Sequence, residues 1–347
     1  MSDRPRLLAL STAVPPYVLD QRAVAARVSR LLGGRIDLEK LLPVFGNAGI
    51  DRRYSCVPIE WYDEAHGWHE RTQLFIDNAV ALLERITLDC LEEAGLQRED
   101  LDAIVVASTT GIATPSLDAL LIERMGLRRD IRRLPIFGLG CAGGVTGLAR
   151  AVDLAKSVPG SRVLFLVVEL CALTFRRDDF DRSNIVAAAL FGDGAAGVII
   201  SSEGDGPAFG PAGEHTWPKS LDVMGWDVRD DGLKAIFAQS IPNLVESEVR
   251  VVLDAYLARH DRCLSSVDAF ACHPGGAKVL DALEDSFELQ RGTLEDSRAT
   301  LRDFGNMSAA TALFVLQRMK GRLATQRTLL SSLGPGFSAS FLMLDGR

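Results

Sequence analysis

Short apolar runs alternate along the chain with longer segments in which apolar residues recur every three to four positions. The run 162–168, RVLFLVV, is almost continuously aliphatic, whereas 76–93 has the spacing of an amphipathic helix. Continuous apolar runs are typical of strands buried on both faces, with helices covering the sheet. The run 7–14 is too short to span a bilayer and predicts a first strand. The pattern predicts an α/β protein.

Three segments of the first half of the chain reappear in the same order in the second half. The matched pairs are 101–109 with 267–275, 137–149 with 304–313, and 191–200 with 333–342. Their shared order predicts two copies of one α/β unit, 1–205 and 206–347, with the boundary in the glycine- and proline-bearing stretch 204–213. We expect two similar sheets, back to back around central helices that begin near Cys141 and Asn306.

Cys141 lies in the glycine-flanked turn GLGCAGG, where the chain runs into an amphipathic helix. Free N–H groups at the start of a helix stabilise negative charge, so we expect a lowered thiol pKa and a nucleophile. The alternative is a buried structural cysteine, which is the commoner state of a free cysteine.

The repeat places His273 and Asn306 at turns equivalent to the ends of strands and the starts of helices in the first half. A Cys–His pair can form a thiolate–imidazolium pair, and a neighbouring amide can donate to an oxyanion. Taken singly, His273 could be a strand-end histidine and Asn306 a helix cap. The other histidines, His66, His69, His215 and His260, lie in polar segments and are expected to be solvated. No second His or carboxylate shows metal-ligand spacing with these three residues, and no P-loop is present.

The composition and net charge of the chain argue against nucleic acid and anionic membranes as partners. The chain has 347 residues, 47% of them hydrophobic and 24% charged, with a net charge of −8. This acidic balance gives no electrostatic reason to expect nucleic acid or an anionic membrane as partner. The six cysteines form no C-x-x-C pair, and a chain of this size does not need disulfides, so a reducing cytosol is expected.

Six motifs together resemble the type III polyketide synthases, the chalcone synthase-like branch of the thiolase superfamily, over nearly the whole chain. They are GIDRRY at 49–54, GCAGG at 140–144, ALFGDGAA at 189–196, HPGG at 273–276, GNMSAA at 305–310 and GPG at 334–336. The resemblance implies a five-layered αβαβα thiolase-like fold and a homodimer. It also implies an acyltransferase that uses acyl-CoA and malonyl-CoA, with no metal or redox cofactor.

The resemblance also implies roles for individual residues. Cys141 would carry the acyl chain, His273 would keep Cys141 ionised, and His273 and Asn306 would stabilise the enolate from malonyl-CoA decarboxylation. Other positions would line the route to the cavity and the cavity itself: Phe191 as gatekeeper, Thr109, Thr174 and Ser308 in the wall, and Gly334, Pro335 and Gly336 in the loop that shapes cyclisation.

Several positions depart from the plant pattern. Trp226 replaces a glycine, Ala235 aligns near the second gatekeeper phenylalanine, and Thr114 replaces the methionine that reaches across the dimer. Lys40 and Arg52 are the remaining candidates for contacts with the CoA phosphates. The segment MGWD at 224–227 looks more like bacterial alkylpyrone and alkylresorcinol synthases, which points to a fatty acyl starter.

Three other functions stay open at this point. A single-round ketoacyl synthase would add one extension unit instead of two or three. An inactive thiolase-fold partner subunit should have lost its nucleophile, and Cys141 is present. A Cys–His hydrolase of the papain kind has no counterpart to the duplicated halves.

Overall fold

The computed structural model describes residues 4–32, 43–179 and 181–346. Its helices are α1 Gln21–Leu32, α2 Pro43–Gly46, α3 Trp68–Ala94, α4 Leu117–Met125, α5 Gly143–Ser157, α6 Arg182–Leu190, α7 Ile241–Ala258, α8 Ala277–Ser286, α9 Glu295–Phe304 and α10 Thr311–Met319. Its strands are β1 Arg6–Ala13, β2 Tyr17–Asp20, β3 Arg52–Ser55, β4 Ala103–Ser108, β5 Arg132–Phe137, β6 Val163–Leu170, β7 Asp193–Ser201, β8 Ala208–Thr216, β9 Met224–Arg229, β10 Gly232–Phe237, β11 Ala269–Cys272, β12 Arg327–Gly334 and β13 Ser338–Asp345. The expected first strand, the strand at 162–168 and the helix at 76–93 are all present.

Nine strands form one sheet in the order β11-β12-β13-β8-β1-β7-β6-β4-β5. In the first half β4 and β6 are parallel, and β6, β7 and β1 pair antiparallel. The second half repeats this pattern, with β11 and β12 parallel and β12, β13 and β8 antiparallel. The two expected sheets are joined, because Arg6 of β1 pairs with Ala208 of β8. Only residues 202–207 separate β7 from β8, so the short link places β8 beside β1.

The central layer consists of α5 and α10. Buried residues of α5, such as Leu148, and of α10, such as Leu316, share one apolar cluster with β4, β6, β7, β12 and β13. The opposite face of the first-half strands packs against α3 and α4, and that of the second-half strands packs against α7 and α8. Each half of the sheet is covered on its outer face by helices, and α5 and α10 lie between the two halves. This order of layers confirms the five-layered thiolase-like fold.

The two central helices have similar starts. A short 3₁₀ turn, Gly140–Ala142, precedes α5, and a second one, Ser308–Ala310, precedes α10. The second helix therefore begins at Thr311, later than the expected start near Asn306. At Gly144 a Cβ atom would collide with the backbone carbonyl oxygen of Ala309, so a glycine permits the close approach of the two helices.

The third aligned pair of sequence segments is displaced in the structure. Residues 191–200 lead directly into β7, whereas 333–342 span the end of β12, a turn and the start of β13. The structural counterpart of β7 is β13, because each pairs antiparallel with the preceding strand of its own half. The shorter connection in the second half accounts for the shift. In the described part of the chain, no helix has the length and apolar character needed to cross a membrane.

Candidate active site

Cys141 lies in the 3₁₀ turn that leads into α5. The Gly140 N–H donates to Oγ1 of Thr109 at 2.9 Å, which ties this turn to the end of β4. Gly140 has a φ of 49°, and a Cβ there would press on the Pro335 ring, so the position requires glycine. Cys141 is 8% exposed. The end of β4 and the GPG loop at 334–336 thus confine the Cys141 thiol at the start of α5.

The turns that carry His273 and Asn306 are connected by hydrogen bonds. His273 follows β11, and its N–H donates to the Ser331 carbonyl of β12 at 2.8 Å. Nδ2 of Asn306 donates to the Gly275 carbonyl at 3.2 Å, two residues after His273. Oδ1 of Asn306 accepts the Ser308 N–H at 2.8 Å, which fixes the orientation of the amide. One amide hydrogen of Asn306 is therefore free to be donated to a ligand.

Ser308 links the Asn306 turn to Cys141. Its hydroxyl forms a hydrogen bond with the Cys141 thiol. Its backbone has a φ of 47°, a left-handed conformation that is uncommon outside glycine and that is often found at functional sites. Thr311 supports this geometry by donating its hydroxyl to the Ser308 carbonyl at 3.0 Å. Hydrogen bonds thus connect Gly275, in the turn that carries His273, through Asn306 and Ser308 to Cys141.

Burial controls the charge state of the pair. The pKa of the Cys141 thiol is raised to about 12, chiefly by desolvation and further by the Glu169 charge. The pKa of His273 is lowered to about 4 by burial. The expected lowering of the thiol pKa is therefore wrong, because removal from water penalises both charged forms more than the helix start favours the thiolate. Burial therefore favours the neutral thiol and the neutral imidazole.

The His273 ring has hydrogen-bonding capacity that the described protein groups do not use, so it is available to a ligand. Both ring nitrogens are buried without a hydrogen-bond partner among the described residues. A buried polar group without a partner is costly, so such an atom commonly serves a ligand or a reaction. The ring can accept a proton at one nitrogen and donate one at the other.

Glu169 is a site residue that the sequence reasoning missed. Its Oε2 accepts the N–H groups of Thr109 at 3.1 Å and Thr110 at 3.0 Å, and the Thr110 hydroxyl at 2.7 Å. Burial raises the pKa of this carboxyl to about 7. One feature of the sequence could have indicated Glu169, because it is the single charged residue in the apolar run that forms β6.

Aromatic rings surround Phe191, which also touches the Asn306 turn. Phe191 pairs with Asn306 in an isolated backbone bridge. Its ring lies 5.7 Å from that of Trp226 and 5.6 Å from that of Phe237. Trp226 and Ala235 face each other across β9 and β10, so the indole fills space that the small Ala235 leaves. Phe237 was not predicted, because only cross-strand pairing reveals its position beside Phe191.

The GPG loop and Thr174 complete the predicted wall. A Cβ at Gly334 would meet Leu139 and Ala142, so this loop packs directly on the Cys141 turn. The Gly336 carbonyl accepts the hydroxyl of Ser220 at 3.0 Å, which anchors the far side of the loop. The Thr174 hydroxyl donates to the Cys171 carbonyl at 2.7 Å.

The remaining predicted residues lie further out. Arg52 is exposed in β3, and Lys40 lies outside the described residues. Thr114 is exposed in the loop between β4 and α4. The expectation that His66 is solvated is wrong. Its side chain is 9% exposed, because it stacks on Trp61 at 3.7 Å and lies beside Glu70.

The described residues offer no metal-binding cluster. Across 4–32, 43–179 and 181–346 there is no cluster of three or more His, Cys, Asp or Glu side chains that could hold a metal ion. All six cysteines are free thiols.

Comparison with known proteins decides the family. The N-terminal domain of chalcone and stilbene synthases matches residues 2–204, and the C-terminal domain of the same family matches residues 211–345. The chain belongs to this family. Its members are type III polyketide synthases, which are acyltransferases that use CoA thioesters and act as dimers.

Individual relatives agree over almost the full length. A 1,3,6,8-tetrahydroxynaphthalene synthase of Streptomyces peucetius is 36% identical over 346 residues, which cover 97% of this chain and 92% of that one. A putative chalcone synthase of Bacillus subtilis is 34% identical over 357 residues, 98% of each chain. The crystal structure of the tetrahydroxynaphthalene synthase of Streptomyces coelicolor, a bacterial type III polyketide synthase, has a TM-score of 0.94 at 28% identity and covers 98% of this chain and 99% of that one.

Proposed function

We propose that this type III polyketide synthase extends a fatty acyl-CoA starter with malonyl-CoA by decarboxylative condensation and cyclises the product to an alkylpyrone or alkylresorcinol. The observation that carries the proposal is the buried His273 ring with two unpartnered nitrogens, in a turn that is linked through Gly275, Asn306 and Ser308 to the Cys141 thiol.

The first half-reaction loads the starter. The Cys141 sulfur attacks the thioester carbonyl of the acyl-CoA while His273 accepts the thiol proton. Because His273 is neutral at physiological pH, its lone pair is available for this step. The C–S bond to CoA breaks, the CoA thiolate leaves with a proton, and the acyl group remains on Cys141.

The second half-reaction extends the chain. Malonyl-CoA loses CO₂, and the electron pair of the broken C–C bond forms an enolate whose oxygen receives hydrogen bonds from His273 and Asn306. The enolate carbon attacks the Cys141 thioester and expels the thiolate. The product is a β-ketoacyl-CoA, which reloads for another round. The Ser308 N–H bond to Oδ1 of Asn306 keeps the amide nitrogen available for the enolate.

Starter choice is supported by the walls around Phe191. Trp226, Phe237 and Phe191 form an apolar aromatic group, with Ala235 and Cys171 in the same buried cluster. Such a wall offers few hydrogen bonds to a phenolic starter and favours a linear hydrocarbon. Each buried methylene contributes about 0.8 kcal/mol, close to fourfold in affinity.

The proposal also covers the CoA contacts, the oligomeric state and the cofactor requirement. We place Lys40 and Arg52 at the CoA phosphates, and a homodimer in the cytosol, where free thiols persist. The repeated strand pairing supports two duplicated halves, 1–205 and 206–347. Catalysis needs no metal or redox cofactor in this scheme, since thiol, imidazole and amide supply each step.

The test combines one variant with a ladder of starters. Cys141→Ala should abolish polyketide formation yet retain some malonyl-CoA decarboxylation, because His273 and Asn306 remain. The matched control is Cys263→Ala, which removes an exposed thiol. With the wild type, medium- and long-chain acyl-CoAs should exceed acetyl-CoA and p-coumaroyl-CoA in kcat/KM, with triketide or tetraketide products detected by mass spectrometry.

Three outcomes would change the assignment. A normal yield from Cys141→Ala would remove Cys141 from the nucleophile role. A single extension would favour the ketoacyl-synthase alternative, and no turnover with any starter would favour an inactive partner subunit.

A further inference from the structure

Arg71, near the start of α3, binds the backbone on both sides of Thr174. Its Nη1 donates to the Leu173 carbonyl and, at 3.0 Å, to the Phe175 carbonyl. Its Nε donates to the His66 carbonyl at 3.0 Å. A planar guanidinium with a rigid fork of donors can hold several carbonyl groups in one geometry, which an ammonium cannot. Arg71 therefore fixes the orientation of the backbone at Thr174.

The Arg71 guanidinium is itself held by the segment that precedes α3. Its carbon atom lies 5.4 Å from the centre of the Trp61 ring. His66 stacks on the same ring at 3.7 Å, and its Nε2 lies 2.8 Å from the Trp61 carbonyl oxygen. These contacts restrict the rotamers of Arg71, so its hydrogen bonds give the Thr174 segment a defined position.

The segment that Arg71 binds lies beside the proposed nucleophile. A 3₁₀ turn, Cys171–Thr174, follows directly on β6. Burial raises the pKa of the Cys171 thiol, and a charge on Cys141 raises it further, so the turn is near the Cys141 thiol. Cys171 also belongs to the buried cluster around Phe191. An acyl group carried by Cys141 would therefore lie beside this turn.

Other groups hold the two ends of the same segment. Asp193 accepts the Ala172 N–H at 2.8 Å. Asn184 accepts the Arg176 N–H at 3.1 Å and donates to the Arg176 carbonyl at 2.7 Å. Between these two anchors, the guanidinium of Arg71 holds the middle of the segment. Loss of Arg71 should thus displace that middle part locally and leave the ends in place.

We infer that Arg71 is a positioning residue for the condensation step and acts through the backbone at Thr174. The inference rests on the proposed function, and deepens it by adding a residue that contacts protein carbonyl groups rather than substrate. His273 and Asn306, which would support malonyl-CoA decarboxylation, share no hydrogen bond with Arg71 in the described part of the chain. Condensation and decarboxylation should therefore respond differently when Arg71 is altered.

The first experiment separates these two activities. Arg71→Ala should lower kcat for polyketide formation from octanoyl-CoA by about ten- to a hundredfold, because the acyl chain and the enolate lose their alignment. In a Cys141→Ala background, which lacks the proposed nucleophile, Arg71→Ala should leave malonyl-CoA decarboxylation within about twofold. Arg85→Ala, at an exposed arginine of α3, is the matched control and should change neither rate.

The second experiment restores the missing group. A pocket beside Arg71 is lined in part by Trp68, Thr72 and Phe75, and its empty volume, including the open mouth, is about 430 Å³. This opening gives a small ion a route to the space that Arg71→Ala leaves. About 20 mM guanidinium chloride, far below the molar concentrations that unfold proteins, should restore condensation several-fold. Sodium chloride at the same concentration is the control, and should not.

A third variant separates the guanidinium from the positive charge. Arg71→Lys keeps the charge and most of the aliphatic stem, but its ammonium cannot reproduce the planar fork. Its kcat for condensation should therefore stay close to that of Arg71→Ala.

Each other result has a definite meaning. An equal loss of condensation and decarboxylation in Arg71→Ala would give Arg71 a purely structural role and overturn the inference. Full condensation by Arg71→Ala or by Arg71→Lys would overturn it too, as would a failure of guanidinium to restore Arg71→Ala. All of these results require a wild type that condenses. A wild type that forms no polyketide from any starter would overturn the proposed function, and the inference with it.

Discussion

Cys141 and His273 are both desolvated, so Cys141, as the proposed nucleophile, would have to lose its proton during the reaction. The raised pKa of the thiol and the lowered pKa of the imidazole both oppose a pre-formed thiolate–imidazolium pair. Under the proposed mechanism, proton transfer would then be coupled to attack, with His273 as general base. The Asn306 amide would stabilise the charge that develops on the substrate carbonyl oxygen.

This charge state predicts the pH profile of alkylation at Cys141. Labelling by iodoacetamide should accelerate continuously from pH 6 to pH 10, because the thiolate fraction keeps growing below a pKa near 12. Brief treatment followed by peptide mapping measures the rate, with the exposed Cys263 as internal reference. A plateau already reached at mildly acidic pH would show instead that the thiolate is stabilised in the resting enzyme.

Glu169 makes a second prediction at the residue scale. The folded protein keeps this carboxyl protonated up to about pH 7, whereas an unfolded chain releases the proton near pH 4.3, so its contribution to stability is lost as pH rises between these values. Glu169→Gln stays neutral and keeps an acceptor for the Thr109 and Thr110 N–H groups. Its free energy of unfolding relative to wild type should therefore improve between pH 4 and pH 8, by on the order of 3 kcal/mol.

Urea unfolding at the two pH values measures this difference. Glu246→Gln, which alters an exposed glutamate of α7, serves as the control and should show no such pH dependence. An equal effect of Glu169→Gln at both pH values would mean that the carboxyl is ionised throughout.

Local motifs in the sequence predicted the site residues but not their environment. Cys141, His273 and Asn306 stood out because each follows a strand or precedes a helix in a repeated pattern. The charge state could not be predicted, since it depends on burial by segments distant in sequence, such as the end of β6 that carries Glu169. Phe237 was missed for the same reason, as its place beside Phe191 follows from the pairing of β9 with β10.

At the scale of elements, the apolar runs and helical periods predicted the central strands and α3 well. The second copy of the repeat was harder, because its third segment spans two strands and a turn. Apolar pattern alone does not distinguish the end of β12 from the start of β13, since both are buried.

The crossing of the central helices yields a prediction for Gly144. Gly144→Ala would place a methyl group against the Ala309 carbonyl oxygen, so α5 and α10 must separate. We expect a loss of stability of about 1–3 kcal/mol, measured by thermal or urea unfolding. Gly321→Ala, at a position with open space, is the matched control and should be close to neutral. A stable Gly144→Ala variant with full activity would show that the helices tolerate a wider separation.

At the scale of the whole molecule, the joined sheet leaves β5 as an edge strand. Its partner on one side is β4, and its other side has no partner in the nine-stranded sheet. Phe137, the last residue of β5, is 59% exposed, which is unusual for a phenylalanine. Unpaired edges with apolar side chains are templates for pairing with another chain, and the family acts as dimers. We therefore expect β5 to lie at the contact between two copies.

Phe137→Glu tests this arrangement. In a two-fold contact the substitution occurs twice, so two carboxylates would be brought toward one interface and lose water, at a cost of several kcal/mol. Size-exclusion chromatography with light scattering should show the variant shifting toward the 37.6 kDa monomer, while the wild type stays dimeric. Val158→Glu, at an apolar residue that is 45% exposed after α5, is the control and should stay dimeric. A dimeric Phe137→Glu variant would place the contact on another face, and the edge of β5 would then need a different explanation for its exposed ring.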